Sequence, residues 1–283
     1  MKPLWDNIGP KPVFPSPSPV ARIVGVLRIL ALAAVLATGL AFLLLLRLFE
    51  GALFQSRRPI TSRLVQMVCK ICLAILGIRV KLIGALAFGC NALVSNHSSW
   101  LDIFVLNAVA RGFFVAKSEV AAWPGIGWLA RATGTIFVER RRAHARAHRD
   151  LLARRMAAGA RLIFFPEGTS TDGQCVLPFK STLFDAFDLH PENSQTLQPI
   201  SLIYHAPKGM DARIYGWWGD MSFAPHLIGI TQMLRHGTVV VVAHDLVDTA
   251  SFSDRKALAK ACGDTVARGH AEHLPSGQGL PLQ

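Results

Sequence analysis

Charge is scarce in this 283-residue chain: 17% of residues are Asp, Glu, Lys or Arg, against 51% that are apolar. That composition excludes a solvated, disordered chain and points to contact with lipid. Acidic residues are the scarcer of the charged types, 18 against 30 Lys and Arg, which leaves a formal net charge of +12. A field of that sign calls for an acidic partner. Nucleic acid is set aside, because the chain has no zinc-finger spacing, no RNP-like segment and no lysine-rich tail; an anionic membrane surface takes its place. Cysteine is sparse and odd in number: Cys69, Cys72, Cys90, Cys175 and Cys262. This excludes a disulfide-stapled scaffold and fits reduced thiols in a cytoplasmic compartment. Cys69 and Cys72 form a lone C-x-x-C with no second ligand pair, so they read as buried helix residues, and no metal site is expected.

What the chain does have begins with proline. Residues 1–22, with "PKPVFPSPSP", are too proline-rich for helix or sheet and predict an extended arm. From Ile29 to Leu46 the sequence "ILALAAVLATGLAFLLLL" carries no charge, about the minimum length for a bilayer core of roughly 30 Å. It ends in "LRLFEG" rather than in a small-residue cleavage site, which predicts a retained anchor. Arginines flank it on both sides, so charge gives no orientation. A second apolar segment, Leu64 to Leu76, is shorter and carries Lys70. It suits an interfacial or re-entrant helix, and the two make residues 23–77 a membrane-anchoring segment, a hairpin dipping into one leaflet.

After Gly77 short apolar or β-branched runs alternate with helical stretches: "RVKLIG", "NALVSN", "FFVAK", "GTIFVER", "RLIFFPEG", "LQPISLIY" and "TVVVVAHD". Such alternation predicts an α/β sheet covered by helices over residues 78–270. Its clearest helices are "WLDIFVLNAVA", then "RRRAHARAHRDLLARRMAAG" ended by Gly159, and "FSDRKALAKACGDTVARG", opened by a Ser253 cap and closed at Gly269. Residues 271–283 read as a flexible tail.

Three clusters carry chemistry. In "NALVSNHSSWLD" a buried strand ends at Val94, and a helix starts near Ser99 or Trp100. His97 then lies in the turn and Asp102 in the first helical turn. Five residues on one helix would set the side chains about 140° apart, so they meet only if the turn folds His97 back. One reading is a base with its orienting carboxylate; the other is Ser99 as helix cap, Asp102 as a dipole-favoured acid and His97 as a bystander. In "RLIFFPEGTSTDG" an apolar strand runs into Pro166, Glu167 and Gly168, so Glu167 and the following amides project from the sheet's end, where α/β folds bind ligands; the plainer reading is a turn with a solvated glutamate. In "GTIFVERRR" Arg140 stands at a strand exit, where it can hold phosphate or carboxylate or simply begin the basic helix that follows. That helix is either a solvated face or a dock for anionic lipid or an acidic carrier protein.

Taken together, these clusters resemble the membrane-associated glycerolipid acyltransferases related to lysophosphatidic acid acyltransferase, over roughly Val80 to Asp245. "NHSSWLD" is similar to that family's first block, N-H-x-x-x-x-D, "GTIFVER" to its second, "FFPEGTS" to its third and "LQPISLIY" to its fourth. The resemblance implies a mainly parallel sheet flanked by helices behind an N-terminal hydrophobic helix or two-helix membrane motif. It implies His97 as general base and Asp102 as its orienter, with Lys117, Arg140, Glu167, Gly168, Thr169 and Ser170 lining the acceptor site. The third block departs from the family's E-G-T-R at Ser170, which removes a guanidinium that holds an acceptor phosphate. "YGWWGDMSFAPHL", Tyr215 to Leu227, resembles the bacterial branch that includes lyso-ornithine lipid O-acyltransferases; its plainer reading is an aromatic interfacial loop.

The expectation is therefore acyl transfer from an acyl carrier protein or coenzyme A thioester to the free hydroxyl of a lyso-lipid. Lyso-ornithine lipid is the first acceptor to consider, and lysophosphatidate, or use of both, the alternative. The thioester is a co-substrate and no further cofactor is implied. Amides around Gly168 and Thr169 are candidate oxyanion donors. A serine hydrolase is disfavoured because no G-x-S-x-G occurs, and a non-enzymatic membrane scaffold because the four blocks keep their reactive residues. Cytoplasmic thioesters place the catalytic domain on the cytoplasmic face of the inner membrane.

Overall fold

The computed structural model describes residue 5 and residues 9–54, 59–123, 125–139 and 145–275, with the backbone alone at 51–54 and 191. Helix α1 (Pro19–Phe54) runs 36 residues, about 54 Å at a rise of about 1.5 Å per residue. It starts inside the segment expected to be extended. The Ser18 hydroxyl accepts the Ala21 amide at 3.2 Å, and Pro19 sits where a helix needs no N–H, so Ser-Pro here opens a helix. The preceding arm is docked: Phe14 lies edge-on to His226 with ring centroids 5.5 Å apart, and Trp5 meets Trp218 at 6.3 Å.

Helix α2 (Pro59–Leu76) returns along α1. The buried Glu50 carboxylate of α1 closes this hairpin by accepting the Ile60 amide and the Thr61 hydroxyl, each at 2.6 Å, at the open N-terminus of α2. On α2, Cys69, Cys72, Leu73 and Leu76 fall on one helical face and are buried, as the cysteine reading required. Ile60, Met67 and Ile71 stay exposed, as do Ile23, Leu27, Leu30, Leu45 and Phe49 of α1. Both helices are long and apolar enough to cross a membrane.

Every strand run read from the sequence is a strand: β1 (Arg79–Ile83), β2 (Ala92–Ser95), β3 (Phe113–Lys117), β4 (Ile136–Val138), β5 (Leu162–Phe164), β6 (Thr196–His205) and β7 (Thr238–Ala243). With a two-residue β8 (Val247–Asp248), they form one sheet in the order β1-β7-β6-β2-β5-β3-β4, β8 pairing with β6. Neighbours are parallel except where β6 meets β7 and β8. The carboxyl ends of β2, β5, β3 and β4 therefore share one edge. Alternate residues face opposite cores: Leu93 and Ile163 pack with α2 and the helix after β2, while Val94, Leu162 and Phe164 pack with Leu152 and Leu258. Burial on both faces explains the near-continuous apolar runs.

The covering helices are α3 (Leu101–Val109), α4 (Ile126–Thr133), α5 (Ala145–Ala157), α6 (Phe223–Gln232) and α7 (Arg255–His273). Two helix signals of the sequence are corrected. The cap of α7 is Asp254, whose carboxylate accepts the Lys256 and Ala257 amides, rather than Ser253. Gly269 does not end that helix, which continues to His273; a Cβ there would stand 2.3 Å from the His244 ring, so glycine serves a close approach. The tail expected from residue 271 thus begins within α7, and residues 276–283 lie outside the described residues.

Asn96, fully buried at the exit of β2, extends the β2–β6 pairing with its side chain. Its amide donates to the Leu202 carbonyl at 2.9 Å, and its oxygen accepts the Leu202 N–H at 2.8 Å. Asn96→Ala leaves two buried backbone groups unpaired, so a loss of about 2–4 kcal/mol in unfolding free energy is expected. Denaturant unfolding of the detergent-solubilised protein measures it, and a loss under about 1 kcal/mol would show that water takes over both bonds.

Candidate active site

The turn between β2 and α3 folds His97 back onto Asp102. His97 Nδ1 lies 2.7 Å from Asp102 Oδ2, and that same oxygen accepts the Ser98 and Ser99 amides at 2.8 and 3.0 Å. The two readings of the sequence therefore merge: the first-turn carboxylate binds the orphan amides of the helix entry and the imidazole together. Trp100, which precedes α3, makes no side-chain cap bond, but the Ser99 hydroxyl accepts the Leu101 amide at 3.4 Å, so Ser99 shares the capping with Asp102. The other oxygen, Oδ1, accepts the Tyr204 hydroxyl at 2.6 Å. Asp102 is completely buried, whereas the His97 side chain is 21% exposed. Because the carboxylate only accepts, Nδ1 carries the proton and Nε2 is the basic nitrogen.

Each backbone group of the turn is also tied down. The His97 amide donates to Glu167 Oε1 at 3.3 Å, the His97 carbonyl accepts the Thr171 amide at 2.9 Å, and the Ser98 carbonyl accepts the Trp217 amide at 2.8 Å. The His97 ring lies on Phe165 with centroids 4.1 Å apart and planes 14° from parallel. The loop after β5 and the aromatic segment thus clasp the turn from two sides. Within that segment Tyr215 and Trp218 are buried, which corrects the interfacial-loop reading for those two rings.

Glu167 is buried rather than solvated. Burial pushes its carboxyl well above the ordinary range, and the negative charge of Asp102 adds to that, against the His97 amide that favours the anion. Lys180 Nζ donates to the Glu167 carbonyl at 2.7 Å and so fixes this stretch of backbone. Gly168 has φ 69° and donates its amide to the Phe165 carbonyl at 3.1 Å. That bond removes the Gly168 amide from the expected oxyanion donors and leaves Thr169's. Thr169 and Ser170 follow in the same loop, half-buried, and Lys117 ends β3 beside Val138 of β4. With β5 between β2 and β3, Lys117 leaves the sheet about 10 Å from β2. Arg140, like Arg141, Arg142 and His144, lies outside the described residues. Burial pushes the Cys175 thiol up to about 12, which keeps it protonated.

Sequence reasoning missed Asn96, Phe165, Thr171, Tyr204 and Trp217. A tyrosine inside the apolar run "LQPISLIY" was a usable signal, because a buried phenol requires an acceptor.

The fold and this geometry define an α/β enzyme with a carboxylate-backed histidine at the carboxyl edge of a mainly parallel sheet. A family model described as Acyltransferase matches residues 91–203, which include every bond of the His97 turn except those to Tyr204 and Trp217. Over 269 residues the chain is 47% identical to a lyso-ornithine lipid O-acyltransferase of Rhodobacter capsulatus, covering 95% of this chain and 97% of the relative. A protein of the same name from Brucella abortus is 36% identical over 258 residues, 86% of this chain and 94% of that one. The crystal structure of the 1-acyl-sn-glycerophosphate (LPA) acyltransferase from Thermotoga maritima shares the fold, with a TM-score of 0.60 and 24% identity over 89% of this chain and 97% of that one. The chain belongs to the acyltransferase family.

The buried Glu167 carboxyl gives a pH test of this geometry. Its folded-state pKa lies above the ordinary 4.5, so the folded state holds a proton that the unfolded state releases, and stability falls as pH rises above about 4.5. Glu167→Gln, neutral at every pH, is expected to gain in melting temperature relative to the parent between about pH 5 and pH 8. A constant difference across that range would mean that the carboxylate is ionised in the fold.

Proposed function

We propose that this protein is an O-acyltransferase that moves a fatty acyl group from an acyl carrier protein or coenzyme A thioester to the free hydroxyl of lyso-ornithine lipid. The observation that carries the reading is the His97–Asp102 pair at 2.7 Å on a strand-end turn, in a chain 47% identical over nearly its whole length to a lyso-ornithine lipid O-acyltransferase. His97 Nε2 takes the hydroxyl proton as the oxygen attacks the thioester carbonyl, and the Asp102 carboxylate stabilises the imidazolium. The tetrahedral adduct then collapses and expels the thiolate, which takes the proton back from His97. The ester is formed, the thioester is broken and the base is restored, so neither an enzyme nucleophile nor a metal is required.

The acceptor site in this reading comprises Lys117, Glu167, Gly168, Thr169 and Ser170, together with Arg140, which lies outside the described residues. Ser170 supplies a hydroxyl where the related sequences that hold a phosphate carry a guanidinium, which suits a zwitterionic head group better than a phosphate. Residues 23–77 act as the anchor and 78–270 carry the reaction. The two apolar helices support attachment to the inner membrane, and soluble thioester donors require the catalytic face to be cytoplasmic.

The test offers the purified protein lyso-ornithine lipid and lysophosphatidate, each with acyl carrier protein and coenzyme A thioesters. Transfer to lyso-ornithine lipid is expected; transfer to lysophosphatidate alone would overturn the acceptor assignment. His97→Ala should lower kcat by about 10²–10⁴ without loss of fold, the range for a general base. Full activity in that variant would sink the base role.

A further inference from the structure

We propose that Tyr204 is a positioning residue of this enzyme, coupling Asp102 to strand β6 and setting the basicity of His97 through the carboxylate between them. The proposal rests on His97 acting as the base. Three of the four donors on Asp102 come from its own turn, and all three converge on Oδ2: His97 Nδ1, the Ser98 amide and the Ser99 amide. Those bonds form whenever residues 97–102 adopt this turn. Oδ1 is served by Tyr204, 102 residues away, at 2.6 Å, a short charge-assisted bond. Tyr204 is held rigidly. It sits near the end of β6, between the Leu202 position bonded by Asn96 and the end of the β7 ladder, and its ring packs on Tyr215 at 5.5 Å. Tyr215 in turn accepts the Gly237 amide on its own hydroxyl at 2.8 Å. These are the chain's two tyrosines.

The chemistry follows from the direction of the bond. A phenol that donates to Oδ1 withdraws charge from the carboxylate and weakens its hold on a proton at Nδ1 and on the imidazolium that forms in the reaction. Burial and the adjacent Asp102 charge both push the Tyr204 hydroxyl well above its ordinary value, so it remains a donor at any working pH. Without it, Oδ1 becomes a buried anionic oxygen lacking a donor among the described residues, and the imidazolium is the nearest group able to compensate. His97 then turns more basic, and its ring is less firmly fixed. The other titratable groups around the pair are Glu167 and Lys180 on the loop after β5, and Tyr215 and His236 behind Tyr204. Glu167 also feels the Asp102 charge, so the profile is repeated in a Glu167→Gln background, where a shift of the limb that persists reports His97 and the missing hydroxyl.

The test compares kcat/KM against pH for the parent, for Tyr204→Phe, and for protein carrying a ring-fluorinated tyrosine at position 204 alone. In Tyr204→Phe the acid limb is expected to move up by about one pH unit and kcat to fall by about tenfold, the scale of one lost bond to a charged group. The fluorinated phenol, a stronger donor, is expected to move the limb down. A residue that serves packing alone would alter stability and active fraction but leave the limb in place in both proteins, and that result would overturn the proposal. If Tyr204→Phe fails to fold, the fluorinated protein decides by the same criterion. Activity retained in His97→Ala would instead remove the base reading itself, which separates the two failures.

Discussion

A carboxylate with no access to water needs several donors at once, and Asp102 has four of them drawn from two distant parts of the chain. Removing an ion from water costs several kcal/mol unless hydrogen bonds replace its hydration. That requirement fixes the turn: the Ser98 and Ser99 amides must point inward, which turns the His97 and Ser98 carbonyls outward to Thr171 and Trp217. It also fixes the strand order. Tyr204 reaches Asp102 because β6 runs beside and parallel to β2, so that the C-terminal ends of both strands arrive at the same place. Asn96 sets the register at which they do so.

The same arrangement leaves the imidazole partly exposed. Stacking on Phe165 covers one face of the imidazole, and Asp102 holds one edge. The side chain remains 21% exposed, at the sheet edge shared by the ends of β2, β5 and β3. The membrane helices bear on this indirectly. Helix α2 buries its cysteine face against the core that includes Leu101 and Val105 of α3, so the helix that carries Asp102 in its first turn is backed by the α1–α2 hairpin. Along α1, the Arg28 guanidinium donates to the Thr231 and Met233 carbonyls at the end of α6, where a cation suits the helix dipole. The two apolar helices and the sheet domain therefore share one packed interior.

The central strands β2, β5, β6 and β7 were legible because burial on both faces writes them as apolar runs, whereas β1, an exposed edge strand, was marked by its β-branched residues and the closing Gly84. β8 was not, since two residues carry no period. Punctuation was read well where the residue acts on its own backbone, as with Gly159 at φ 83° after α5. It misled where the cause was tertiary, since Gly269 makes room for His244, and where two adjacent residues could both cap, since Ser253 yielded the start of α7 to its neighbour Asp254. The site divides in the same way. His97, Asp102 and Glu167 lie in short local patterns, and their reading needed one turn or one strand end. Tyr204 and Trp217 act on that turn from more than a hundred residues away, and local pattern holds no record of such a bond.

This separation bears on how the family can keep one chemistry and vary its acceptors. The donors that converge on Asp102 belong to the turn between β2 and α3 and to β6, elements that are buried and cross-linked by side-chain bonds, so substitutions there disturb the fold as well as the base. Ser170 and its neighbours occupy a loop whose backbone is held through Glu167, Gly168 and Thr171, while the Thr169 and Ser170 side chains remain half-exposed. A guanidinium can be exchanged for a hydroxyl at that loop without touching the Asp102 network. In the reaction proposed here, His97 needs only a hydroxyl presented at Nε2, so the Thr169 and Ser170 side chains are free to vary with the head group, whereas Glu167, which holds the His97 amide, is not.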